Sequence, residues 1–144
     1  MTEPLAEQRA RVCAVARTFI GTPYHHNGCL KGVGVDCATL LVLVYREAGF
    51  TITDPPPYPP QFFMHRDRER YLEEIDRYCR RVDAPAPGDI VVYRLGRTYA
   101  HGAIILEGGW PAIVHANARA RAVIEDRGDG GRIGVAPRRF YSPW

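Results

Sequence analysis

Apolar residues recur along the first half of the chain at helical spacing and along the second half in short, strand-like runs. Val12, Val15/Ala16 and Phe19 form one stripe within residues 4–20, with Arg9, Arg11 and Arg17 available for solvent. Cys13 shares a face there with Ala16 and Ile20 and reads as a core thiol. Gly21-Thr22-Pro23 stops this helix, and residues 24–35, which include Gly28, Gly32 and Gly34, form a loop. A second helix opens at Asp36-Cys37 and runs to Glu47. Asp36 suits its N-cap and Gly49 its C-terminal stop. Its middle, Leu40 to Val44, is apolar on every side, which predicts a helix buried at the centre of the fold. Asp54 to Pro60, rich in proline, reads as an extended surface connection. Residues 66–81 predict a third helix, with Tyr71/Leu72, Ile75 and Tyr78/Cys79 on its apolar stripe.

From residue 82 the pattern changes. Ile90 to Tyr93, His101 to Leu106, Ala112 to Ala116 and Ala122 to Glu125 read as consecutive strands, and Ile133 to Val135 as a last short one. Helices first and closely spaced strands afterwards predict an α+β fold with an antiparallel sheet of about five strands.

The chain has 144 residues, 46% hydrophobic and 24% charged, which predicts one domain spanning 1–144 with its own core. Disordered, collagen-like and disulfide-scaffold classes are excluded on those grounds. The longest strongly apolar run, Leu40–Val44, is far short of the roughly 20 residues of a membrane-spanning helix. The N-terminus is polar and acidic rather than signal-like, so a cytoplasmic site of synthesis is expected. The net charge is only +3, and the arginines alternate with acids, as in Arg66 to Arg70. That pattern marks a solvated helix face rather than a nucleic-acid surface.

Four cysteines without a C-x-x-C pair argue against a zinc ribbon or a thioredoxin-type motif. Cys13 and Cys79 fit packing roles. Cys37 differs, because the first turn of a helix offers free N–H groups and a dipole that favour a thiolate. A nucleophile also needs a base and a group that orients the base. His101 and His115, fourteen positions apart on successive strands, can stand side by side in a sheet, with Asn117 as a spare orienting group. A structural cysteine and two ordinary sheet histidines would read the same way locally. A metal site from His25, His26, Cys29 and Cys37 is a further alternative, although its spacing fits no common zinc pattern.

A cysteine on a central helix followed by histidine on a sheet is the papain-like arrangement. Gly21-Thr22-Pro23-Tyr24, Gly34-Val35-Asp36-Cys37, Pro87-Gly88-Asp89-Ile90-Val91, His101-Gly102-Ala103-Ile104-Ile105 and Val114-His115-Ala116 occur in one order and cover most of the chain. In these pieces the sequence resembles the NlpC/P60 cysteine peptidases, in particular their phage-encoded, tail-associated branch. The resemblance implies a papain-like fold, Cys37 as nucleophile, His101 as general base and His115 as the orienting residue. It also implies that Tyr24 and Asp36 line the substrate pocket. The implied reaction is hydrolysis of peptidoglycan stem peptides, typically between γ-D-glutamate and a diamino acid, without cofactor or metal. Phage tail proteins are implied as partners, with action at the wall after carriage by a virion, and neither nucleic acid nor membrane. The alternative within the same resemblance is a tail-tip structural protein with little hydrolysis. Ala38-Thr39 departs from the Ser-Gly that many members carry after the cysteine, and Gly102-Ala103 reverses the usual order after the histidine.

Overall fold

The computed structural model describes residues 3–53 and 69–144. The expected proline-rich connection at 54–60 and the first residues of the expected third helix lie outside them. Helix α1 (Leu5–Thr18) buries Val12, Cys13 and Ala16. Phe19 follows as its buried C-cap, whereas Ile20, expected on the same stripe, is exposed because the helix has already ended. Arg9 is not a plain solvent residue. Its guanidinium bonds the buried Asp89 carboxylate at 2.8 Å and stacks 4.4 Å from the Trp144 ring, tying α1 to the turn before the sheet. Cys13 is buried as expected, its thiol donating to the Ile105 carbonyl at 3.5 Å.

Residues 29–35, expected as loop only, include a two-residue antiparallel pairing, β1 (Cys29–Leu30) with β2 (Gly34–Val35). Helix α2 (Cys37–Glu47) follows at once, with Leu40, Leu41, Val44 and Tyr45 in the main core. Helix α3 is shorter than the periodicity suggests. It covers Arg70–Asp76, after which the chain turns and enters an edge strand, β3 (Arg80–Val82). That strand exists because Arg80–Val82 pairs with the C-terminal β8 (Arg138–Ser142), a partner far away in sequence. Tertiary pairing thus overrides the local helical pattern.

The remaining strands are β4 (Ile90–Leu95), β5 (Thr98–Ile105), β6 (Ala112–Asn117) and β7 (Ala122–Arg127). With β3 and β8 they form, among the described residues, a six-stranded antiparallel sheet in the order β3-β8-β4-β5-β6-β7, one strand more than expected. Ile133–Val135 is a 3-10 turn rather than a strand, and the unread β8 takes the place beside β4. Two clusters follow from strand alternation. Ile90, Val92, Ala100, Ile104, Val114 and Val123 join α1, α2 and α3 in the main core. Val91, Tyr93, Ala103, Ile105 and Ile113 make a smaller cluster on the opposite parity, with Trp110 and Phe140 against it. A register shift at Tyr93/Arg94 interrupts the β4–β5 ladder opposite Tyr99–His101, the stretch that meets α2.

Candidate active site

Cys37 sits in the first turn of α2, and its position is fixed by the residue before it. The Asp36 carboxylate accepts from the Ala38 and Thr39 N–H groups at 2.9 and 3.0 Å, while the Thr39 hydroxyl accepts from the Asp36 N–H at 2.8 Å. This is a reciprocal capping box. The second Asp36 oxygen accepts from the Asn27 N–H at 2.8 Å, pinning the preceding loop to the helix start. Asp36 is therefore the N-cap expected of it, and it is buried. Thr39, two residues after Cys37, completes the cap.

The Cys37 sulfur meets the backbone of β5 on either side of His101. Its thiol donates to the Ala100 carbonyl at 3.3 Å, and the Gly102 N–H is placed to stabilise the thiolate. Tyr71 from α3 closes over the same spot, its hydroxyl donating to the Cys37 carbonyl at 3.0 Å and also within reach of the sulfur. Gly102 is needed here, because a Cβ at that position would lie 2.3 Å from the Tyr71 hydroxyl oxygen. Cys37 is only 7% exposed, and burial pushes its thiol up to about 12, with the Asp36 charge adding to the rise. The thiolate that a helix start favours is thus not the resting state. Desolvation outweighs the helix terminus.

The two histidines come together as their spacing predicts. His101 Nε2 and His115 Nδ1 are 2.8 Å apart, and the rings meet edge to face at 5.0 Å between centroids. Burial, followed by the neighbouring His115, lowers His101 to about 3, and burial also lowers His115 against the opposing pull of Asp126. At neutral pH the resting site therefore holds a neutral thiol and neutral imidazoles. Among the described residues no hydrogen bond joins Cys37 to His101, because the thiol is engaged by the Ala100 carbonyl.

Asp126 is a member of the site that sequence reading missed. His115 Nε2 lies 3.0 Å from Asp126 Oδ2, so His101, His115 and Asp126 form a continuous chain across β5, β6 and β7. The β6–β7 register opposes His115 to Ile124, which makes Asp126 its diagonal neighbour. Strand β7 reads locally as ending at Glu125, one residue before Asp126, and only the register reveals the partner. Asn117, the spare orienting group, instead caps the next turn by accepting from the N–H groups of Arg119 and Ala120 at 2.9 and 3.0 Å.

Tyr24 stands half-buried near Cys37 and Asp36, whose charges, after burial itself, push its phenol above the usual range. His25 Nδ1 lies 3.0 Å from the His26 carbonyl. The described residues contain no group of three or more His, Cys, Asp or Glu placed to hold a metal ion. They also contain no helix long and apolar enough to cross a membrane.

The profile of the NlpC/P60 family matches residues 21–131, a span that contains every residue of the candidate site. No curated protein sequence matches the chain. Among solved structures, NlpC1 from Trichomonas vaginalis superposes with a TM-score of 0.66 at 17% identity, over 98% of this chain and 45% of that one. The chain thus spans less than half the length of that relative. The NlpC/p60 domain of the peptidoglycan hydrolase SagA gives 0.62 at 20% identity, covering 91% of this chain and 96% of the domain. An N-acetylmuramoyl-L-alanine amidase from Bacteroides uniformis gives 0.60 at 13% identity, over 94% and 98%. These likenesses fix the fold, and together with the profile match over residues 21–131 they establish that the chain belongs to the NlpC/P60 family.

Proposed function

We propose that this chain is a cysteine hydrolase of bacterial cell-wall stem peptides, with Cys37 as nucleophile and His101 as base. The observation that carries the reading is one juxtaposition: the sulfur at the start of α2 lies against the backbone of Ala100 and Gly102, while the histidine between them is bonded to a second histidine. Both the SagA domain and the Bacteroides amidase, which share the fold, carry names of wall-degrading enzymes.

In this reading the thiol leaves the Ala100 carbonyl and turns to the imidazole of the adjacent residue. His101 takes its proton as sulfur attacks the substrate carbonyl, so the ion pair that burial disfavours at rest arises only as the reaction begins. The Cys37 N–H receives the developing oxyanion, with the Tyr24 hydroxyl beside it. His101 then protonates the leaving amine and activates the water that frees the acyl group. His115 holds the His101 ring throughout. Asp36 shapes the pocket floor by holding the helix start in place. The preferred bond is between γ-D-glutamate and a diamino acid such as meso-diaminopimelate.

Purified protein incubated with wall-derived tripeptides and tetrapeptides, with products read by mass spectrometry, tests this. Cleavage at the γ-D-glutamyl bond by the native chain and none by Cys37→Ala is the expected result. Intact peptides with both proteins would overturn the enzymatic reading and leave a scaffold role, as in a phage tail.

A further inference from the structure

The chain of side chains behind His101 has a direction, and its last member sets it. Asp126 Oδ1 accepts from the Arg127 N–H at 2.8 Å, which fixes the carboxylate and aims Oδ2 at His115 Nε2, 3.0 Å away. Asp126 is 41% exposed on its side chain, and a carboxylate can only accept a hydrogen bond. The proton on neutral His115 must then reside on Nε2, and its Nδ1 carries a lone pair. That lone pair accepts from His101 Nε2–H across 2.8 Å, which leaves His101 Nδ1 unprotonated.

We propose that Asp126 is a positioning residue that sets the tautomers of both histidines and so keeps His101 Nδ1 free as the basic atom. The inference rests on the reading of His101 as the base. Asp126 touches neither substrate nor sulfur in it; it acts through two rings in series.

Substitution by asparagine provides a discriminating test, because the change is nearly isosteric but reverses the logic. The Arg127 N–H still requires an acceptor, so the Asn oxygen stays there and its NH2 faces His115 Nε2. His115 must then accept at Nε2 and carry its proton on Nδ1. His101 Nε2 becomes the acceptor, and the His101 proton moves to Nδ1, where it blocks the base. Alanine removes the directing group without installing the wrong one. A wrong tautomer of this kind costs a serine protease about 10⁴ in turnover.

Through two rings, D126N is expected to lower kcat/KM on a wall peptide by about a hundredfold or more and D126A by about tenfold, with D126E restoring most of the native rate. Imidazole ¹⁵N NMR of the folded proteins supplies the second readout. The native chain is expected to show His101 protonated at Nε2, and D126N to show it protonated at Nδ1. D126N as active as D126A, or a His101 tautomer that is the same in both proteins, would overturn the proposal. If the native chain cleaves no wall peptide, the reading in which His101 is a base fails instead, and the NMR comparison still decides what Asp126 does.

Discussion

Tyr71 touches the site at the scale of a single hydroxyl. It bonds the Cys37 carbonyl at 3.0 Å and is one of the groups that would lower the cost of a thiolate. A hydrogen bond to a charged group contributes about 1.5–3 kcal/mol, so Tyr71→Phe is expected to reduce kcat/KM by roughly tenfold to a hundredfold while the fold persists. Steady-state kinetics alongside urea unfolding check this; an unchanged rate would remove Tyr71 from the site. At this scale the sequence was partly readable. Cys37, His101 and His115 stood out because their residue types have few other reasons to occur at a helix start and on adjacent strands. Tyr71 did not, since a tyrosine on an apolar helical stripe looks like packing until α3 is placed over Gly102. The burial of Cys37 is hidden from the sequence for a related reason: the helix terminus that favours a thiolate is local and visible, whereas the desolvation that opposes it comes from β5 and α3.

At the scale of elements, α2 was legible because its signals are local: an N-cap aspartate, an apolar run and a glycine stop. The capping box makes a measurable claim. Asp36→Ala removes two helix-start acceptor contacts and the partner of the Asn27 N–H, and is expected to cost about 2 kcal/mol in urea unfolding. Asp36→Asn, a comparable N-cap residue, should retain most of that stability. Equal losses in both variants would mean that the charge of Asp36, rather than its cap, supports the helix. Strands β3 and β8 were illegible for the opposite reason. Arg80–Val82 and Arg138–Ser142 show little alternation of their own, and their partners are distant in sequence: β3 pairs with β8, and β8 lies between β3 and β4. Asp126 belongs to the same class, being defined by the register of β7 on β6 rather than by any nearby residue.

For the molecule as a whole, the buried histidines couple the site to stability. Burial holds His101 at about 3, well below the ordinary value of 6.5, and His115 is lowered too. The unfolded chain therefore takes up protons before the folded one does. The histidines' contribution to stability should be flat above about pH 6.5 and fall as pH drops from there towards about 3, with a slope of at most about 1.4 kcal/mol per pH unit for each histidine. Denaturant unfolding at pH 7 and pH 5 measures it, and His101→Gln should flatten the dependence; an equal slope in that variant would place the acid sensitivity elsewhere. The central claim, that a covered sulfur becomes a nucleophile under the control of His101, has its most direct test in a γ-D-glutamyl stem-peptide analogue carrying a chloromethyl ketone at the scissile carbonyl. Peptide mapping by mass spectrometry should find the adduct on Cys37, formed far more slowly in folded His101→Ala. An adduct on half-buried Cys29, or labelling of Cys37 at the same rate without His101, would contradict the account.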